Sequence, residues 1–230
     1  MLVDHRVRML ILSNSSQRGF NLVELTIGIA IVAILFALAL PSYSQWSTNA
    51  RIRNWAESIQ NGLQQTRVEA LKRNVTPPSS TVRFQLVDSL TSACVTSTSG
   101  TNWVISLDDI NGQCDKMPVS GLVTTPPQVI QNAAAENGAT ALVVVASEPV
   151  ACFNGMGQVD RTTGGCSVNP VVTFDISVAN PGSQSGTTCA KLGGKARCLQ
   201  VCAGNGSIKM CDPAVTDPTD PRICAPAGSC

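Results

Sequence analysis

Few side chains in this 230-residue chain could carry out chemistry. The only histidine, His5, lies within the first nineteen residues, so the rest of the chain lacks the base that serine–histidine and cysteine–histidine sites require. Carboxylates are few and scattered, and no glycine-rich phosphate loop follows a strand pattern. We therefore predict that the chain is not an enzyme and has no catalytic residue and no cofactor.

The ten cysteines all lie between Cys94 and Cys230. Zinc sites use closely spaced cysteine pairs, and the chain has no C-x-x-C pair. An even number of cysteines confined to the C-terminal two-thirds is typical of a disulfide framework formed in an oxidising compartment. We predict disulfides and no metal ligands.

Two groups of carboxylates could suggest calcium. Asp109-Ile110-Asn111-Gly112 reads D-x-N-G after Asp108, and the C-terminal tail carries Asp212, Asp217 and Asp220. The full pattern of a calcium-binding EF-hand loop is missing. Aspartate and asparagine also form turns through their own side chains, and we favour that role here.

Glu24 interrupts an apolar segment over residues 20–40, which is otherwise polar only at Asn21 and Thr26. Twenty-one helical residues cover about 30 Å, the thickness of a bilayer core, and basic residues before them place the N-terminus in the cytoplasm. A carboxylate in such a span costs about 2.5–3.5 kcal/mol and marks a function that needs a partner. Alternatively, Glu24 lies shallow enough to reach the headgroups.

A second helical pattern follows Pro41, where a proline kinks or ends a helix. An apolar stripe with charged residues between its members predicts an amphipathic helix that packs on the protein's own sheet and ends near Asn74. The stripe comprises Ile52, Trp55, Ile59, Leu63, Val68 and Leu71.

Beyond residue 80 the pattern becomes that of strands separated by turn residues. The predicted strands are 81–87, 102–107, 140–147 and 171–179, with two more that meet in a hairpin turn at Gly204-Asn205. That turn places Cys198 opposite Cys211. The other candidate pairs bracket loops or the tail. Ten cysteines allow many connectivities, so these pairs are candidates only. The candidate disulfides are Cys94–Cys114, Cys152–Cys166, Cys198–Cys211 and Cys224–Cys230.

The string Arg18-Gly19-Phe20-Asn21-Leu22-Val23-Glu24-Leu25 resembles the leader signal of type IV prepilins. The resemblance implies that a prepilin peptidase cleaves after Gly19 and methylates the new N-terminus at Phe20. It also implies that Glu24, fifth after the cut, pairs with the N-terminus of a neighbouring subunit in a fibre. A buried charge is tolerated when paired, so this pair can check the register of assembly.

The head is similar to the GspH/FimT/FimU group of minor pilins and pseudopilins. The similarity lies in Ala70-Leu71-Lys72-Arg73-Asn74, Phe153-Asn154-Gly155, Arg197-Cys198-Leu199 and Met210-Cys211-Asp212-Pro213. Some FimT-type members bind DNA through a C-terminal basic patch, and Lys191, Lys195, Arg197 and Lys209 cluster in that region. Four cations could give weak, salt-sensitive DNA binding. The alternative is an ordinary solvated surface, since Asp212 is nearby.

We thus predict an α+β chain with a long N-terminal helix, spanning the membrane in its first half and amphipathic in its second, packed on an antiparallel sheet with disulfides. The expected parts are a leader (1–19), a membrane and filament-core helix (20–40), an amphipathic helix (41–75), a periplasmic head (76–212) and an irregular tethered tail (213–230).

The expected function is that of a minor pilin in pilus assembly, anchored in the bacterial inner membrane, with other pilins and the prepilin peptidase as partners. Three alternatives stay open: a pseudopilin of a type II secretion system, a DNA-binding pilin for natural transformation, and a plain single-pass anchor with a periplasmic binding head.

Overall fold

The computed structural model describes residues 21–74, 81–116, 128–135, 142–178, 198–204 and 206–224, without the side chains of 38–42, 44 and 45. The chain is α+β, with one long helix and two antiparallel sheets in this described part. It divides into two compact units, Met1–Tyr43 and Ser44–Cys230. The second unit contains all the strands and most of the core.

Helix α1 runs from Leu22 to Arg73. Its end agrees with the prediction, because Asn74 adopts a positive φ of 48°, a conformation in which helices commonly stop. Lys72 and Arg73 add favourable positive charge to the last turn. The helix does not end at Pro41, whose side chain lies outside the described residues, so a kink there stays a prediction.

Within the described residues, no helix combines the length and the apolar character needed to cross a bilayer. The predicted span, 20–40, lies only partly within those residues, because Phe20 and the side chains of 38–40 are outside them.

The second half of α1 buries one face in the core of the second unit. Ile52, Trp55, Ile59 and Leu63 are buried there as predicted. Val68 and Leu71 were predicted in the same stripe, but they are 58% and 46% exposed. The reason is the helical period of 3.6 residues: after Leu63 the inward positions are occupied by Thr66 and Ala70, both fully buried.

The eight strands form two four-stranded antiparallel sheets, in the orders β3-β2-β1-β5 and β4-β6-β7-β8. Four predicted strands and the last hairpin are present, whereas β3 and β5 were not predicted. The strands are β1 (Val82–Val87), β2 (Asn102–Ser106), β3 (Val129–Ala133), β4 (Leu142–Ala146), β5 (Val150–Phe153), β6 (Val172–Val178), β7 (Leu199–Gly204) and β8 (Ser207–Cys211).

Aromatic contacts join the helix and the two sheets. The ring of Phe84 on β1 lies 5.5 Å from those of Trp103 on β2 and Phe174 on β6, and the last pair meets edge to face. The indole nitrogen of Trp103 donates a hydrogen bond of 3.1 Å to Ser58 of α1. Gly62 lets the helix approach this cluster, because a β-carbon there would lie 2.8 Å from Cε2 of Phe84.

Two predicted disulfides are present, Cys94–Cys114 and Cys152–Cys166. The other two predicted pairs, Cys198–Cys211 and Cys224–Cys230, are wrong, because Cys211 is bonded to Cys224. Cys198 and Cys211 were mispaired because the last hairpin has a different register from the one predicted. Gly204 pairs with Ser207, so the turn lies one residue later than predicted, with Gly206 at a φ of 90°. In this register Cys211 faces Gln200 instead of Cys198.

The Cys211–Cys224 disulfide closes a tail loop whose turns are built by aspartates. The side chains of Asp212, Asp217 and Asp220 each accept a hydrogen bond from a backbone N–H two residues later, at 2.9–3.0 Å. Arg222 also donates from Nε and Nη2 to the two carboxylate oxygens of Asp220, at 3.1 and 2.7 Å. This bidentate hydrogen bond from Arg222 lowers the pKa of Asp220 to about 2.

We predict that Gly62→Ala lowers the free energy of unfolding by about 1–3 kcal/mol, since the added methyl group must displace the buried rings of Phe84 and Trp103. Thermal unfolding of the detergent-solubilised chain measures this change. Gly28→Ala is the matched control on the same helix, because nothing lies within 4 Å of a β-carbon there. Equal melting temperatures for Gly62→Ala and the wild type would contradict the packing described.

The pKa of Asp220 gives a second prediction. The folded pKa, about 2, lies below the ordinary value of 3.8, so the stabilising contribution of this group is present above pH 3.8 and is lost as the pH falls through 2. Carboxyl-detected NMR should show Asp220 titrating near the lower value. Arg222→Gln should return the titration towards 3.8, and an Asp220 that titrates at 3.8 in the wild type would contradict the bond.

Candidate functional site

The structure describes only some of the predicted site residues. Gly19 and Phe20 of the cleavage site and three members of the basic cluster, Lys191, Lys195 and Arg197, lie outside the described residues. The fourth member, Lys209, is exposed on β8, where its partner in the register is Cys202. The DNA-binding patch therefore stays a prediction.

The candidate calcium residues serve as turn formers in the structure. Asp109 accepts a hydrogen bond of 3.1 Å from the backbone N–H of Asn111, whose own side chain accepts one of 2.6 Å from Thr96. Gly112 then takes a φ of 72°. In the part of the chain that the structure describes, no three histidine, cysteine or acidic residues are grouped to hold a metal ion.

The N-terminal end of α1 is built around Asn21. Its side-chain oxygen accepts a hydrogen bond of 3.4 Å from the backbone N–H of Val23, and its carbonyl accepts one of 3.1 Å from Leu25. Asn21 therefore caps the helix by satisfying a donor that has no partner within it. Sequence reasoning gave no role to Asn21, although Asn21-x-x-Glu24 resembles a capping box in its spacing.

Glu24 lies in the first turn of α1, where the partial positive charge of the helix N-terminus favours a carboxylate. It is exposed and is the only charged residue among the described side chains from 21 to 37. Glu24 borders a groove of about 410 Å³ with Leu25, Gly28, Ile29 and Val32. Because glycine has no side chain, Gly28 leaves space one helical turn from the carboxylate.

The surface around Glu24 is apolar on every side of the helix. Ten large hydrophobic side chains between residues 22 and 36 are about half to three-quarters exposed in the isolated chain. They are Leu22, Val23, Leu25, Ile27, Ile29, Ile31, Val32, Ile34, Leu35 and Phe36. A helix that is hydrophobic all round is normally buried in protein or in a membrane. This segment therefore combines an exposed apolar surface with one carboxylate near its start.

Comparison with known proteins places the similarity in this segment. No family model matches the chain, and no solved structure matches it significantly. Over 39 residues of its N-terminal part the chain is 51% identical to the type IV major pilin protein PilE1 of Neisseria gonorrhoeae and to the fimbrial protein of Neisseria meningitidis serogroup B.

The matched residues amount to 17% of this chain and to 24% and 23% of these two relatives, so the chain matches about a quarter of the length of each. A match of 39 N-terminal residues does not include the head, which was predicted over residues 76–212. The beginning of helix α1, which carries Glu24, lies in this N-terminal segment. In its N-terminal segment the chain is therefore similar to type IV pilins.

Proposed function

We propose that the chain is a structural subunit of a type IV pilus, a minor pilin of the GspH/FimT/FimU kind that acts in assembly and not in catalysis. The observation that supports this most is the N-terminal helix, which carries the similarity to pilins and places Glu24 on an exposed apolar surface. Such a surface has to be covered after synthesis. A membrane covers it first, and neighbouring subunits cover it in the fibre.

The energetics of Glu24 explain why assembly would be selective. A carboxylate in an apolar surrounding costs about 2.5–3.5 kcal/mol. The helix N-terminus returns only about 0.3–1 kcal/mol of this, so a second positive partner is needed. Cleavage after Gly19 supplies one, because it creates an ammonium at Phe20. The ammonium of one subunit can then pair with Glu24 of the next, and a mispaired subunit leaves two charges buried without partners.

The head fits a role outside the cytoplasm. Its core is stabilised by disulfides, which persist in oxidising compartments such as the periplasm. We propose that the chain is anchored in the inner membrane by residues 20–40 with this head in the periplasm, and that prepilin peptidase and other pilins are its partners. A place in the initiating tip complex is part of the same proposal.

A pseudopilin of a type II secretion system would use the same helix and the same charge pair. The disulfide-rich head and its closed tail loop favour a pilus, where a subunit stays exposed at the cell surface. DNA binding for uptake is a further role for a minor pilin, and its supporting observation is the exposed Lys209 near the end of the head.

We predict that Glu24→Ala reduces incorporation of the subunit into sheared filaments by roughly tenfold or more, because removing one partner of a buried ion pair costs about 3–5 kcal/mol. Immunoblots of filaments and of membranes measure the two pools separately. The membrane pool should stay unchanged.

Glu57→Ala is the matched control, since Glu57 is on the same helix but pairs with Arg53 in its own chain at 2.9 Å. It should incorporate like the wild type. Normal incorporation of Glu24→Ala at an equal membrane level would contradict the proposed assembly mechanism.

A further inference from the structure

A cavity of about 230 Å³ lies within the second unit, beside the second half of helix α1. Arg51, Asn54 and Trp55 of the helix line it, together with Ala134 and Leu142. Ala134 directly follows β3 and Leu142 begins β4, which are the outer strands of the two sheets in the described part of the chain. The cavity therefore lies where the helix meets one edge of each sheet.

The three helix residues at the cavity share one face of α1. Positions 51, 54 and 55 are three and four residues apart, so their side chains are neighbours on the helix surface. Trp55 is buried, at 8% exposed, whereas Arg51 is half-buried and Asn54 is exposed. Together they bring a guanidinium group, an amide and an indole N–H to one wall, and each of these groups donates hydrogen bonds.

The indole nitrogen of Trp55 is buried and has no hydrogen-bond partner among the described residues. Buried donors in native proteins are nearly always bonded, so an unbonded one needs an explanation. Trp103, another buried tryptophan, follows the rule, because its indole N–H bonds to Ser58 at 3.1 Å. An acceptor that enters the cavity beside Trp55 would satisfy the unbonded donor.

Arg51 supplies an unpaired positive charge at the same cavity. Its guanidinium group makes no ion pair and no hydrogen bond with the residues that the structure describes. Arg53, two positions along the helix, instead bonds to Glu57 at 2.9 Å and does not line this cavity. A guanidinium group and a second N–H donor at one wall are groups that recognise a carboxylate.

The size and the walls of the cavity fit a side chain better than a free metabolite. Pockets for drug-sized ligands usually measure about 300–1,000 Å³, and this cavity is smaller. Ala134 and Leu142 offer apolar surface to the methylene groups that precede the carboxylate of glutamate. The occupant that fits best is therefore an acidic side chain of a protein partner.

We propose that Arg51 and Trp55, with Asn54 beside them, form a subsite for a glutamate side chain of a neighbouring subunit. The carboxylate accepts hydrogen bonds from the guanidinium group of Arg51 and from Nε1 of Trp55. The identity of the partner rests on the proposed function, whereas the binding of a carboxylate does not. The second unit forms this contact by itself, separately from the pairing of Glu24.

The indole N–H of Trp55 reports on the subsite by NMR. The full chain, solubilised in detergent and carrying isotope-labelled tryptophan, gives one indole resonance for each of its three tryptophans, and Trp55→Phe assigns the one from Trp55. The probe is the α-amide of N-acetylglutamate, and the α-amide of N-acetylglutamine is its uncharged control. We expect a saturable downfield shift with the glutamate probe alone. An absent shift, or an equal shift with both compounds, would overturn the carboxylate subsite.

Two arginine variants separate the role of Arg51 from a general effect of positive charge. Arg51→Gln should weaken binding of the glutamate probe by about tenfold, because it removes a charge-assisted hydrogen bond. Arg53→Gln is the matched control, since Arg53 is paired with Glu57 in its own chain. It should bind the probe like the wild type. Equal weakening in both variants would contradict the role of Arg51.

Glu136 is a competing source of the carboxylate, because it follows Ala135 in the sequence and lies outside the described residues. Glu136→Gln distinguishes this source from a partner. With a partner's carboxylate, the variant keeps the Trp55 resonance and the probe affinity of the wild type. A Trp55 resonance that moves upfield in Glu136→Gln before any probe is added would overturn the partner as the source.

Incorporation into sheared filaments tests the neighbouring subunit and separates this inference from the proposed function. Arg51→Gln should be incorporated at least about threefold less than the wild type, because one ion pair between subunits is lost. Arg53→Gln should be incorporated normally. Normal incorporation of Arg51→Gln would contradict the neighbouring subunit as partner, with the proposed function intact. A wild-type chain absent from filaments would contradict the proposed function, and the NMR titration would still decide whether the carboxylate subsite exists.

Discussion

The single carboxylate in the apolar N-terminal part of helix α1, Glu24, is the constraint on which the proposed assembly depends. If lipid or protein covers the helix, water cannot solvate the carboxylate of Glu24. The helix N-terminus offsets only about 0.3–1 kcal/mol of the free energy that burying this charge costs. The apolar residues that follow it are exposed in the isolated chain, so the helix is incomplete by itself. We propose that a positively charged partner from outside the described residues supplies the compensation that Glu24 lacks.

In the second half of the same helix the important contacts are close packing against the sheets and not a charge. In the second unit, Gly62 brings the helix against Phe84 and Trp103, and Phe84 reaches Phe174 in the other sheet. Arg67 adds a polar link by donating a hydrogen bond of 2.7 Å to the carbonyl of Gly206 in the last hairpin. With few aromatic residues available, the disulfides supplement this core by restricting the unfolded chain.

Periodic and local features could be predicted from the sequence, whereas details that depend on register could not. The buried positions from Ile52 to Leu63 follow the helical period. Val68 and Leu71 were predicted to continue this stripe, but they lie outside the buried face of the helix. Strand β3 was missed because Val129–Ala133 does not alternate, and β5 because four residues give too short a pattern. A hairpin turn displaced by one residue was enough to mispair Cys198 and Cys211.

The candidate site around Glu24 could likewise be predicted only in part. The spacing of Glu24 within its apolar segment could be recognised in the sequence, but the capping role of Asn21 required the structure. Whether a charged N-terminus exists to meet Glu24 is decided by processing of the chain. Mass spectrometry of the protein extracted from membranes measures this directly. We predict a chain that begins at methylated Phe20, and an intact chain beginning at Met1 would contradict the proposed assembly mechanism.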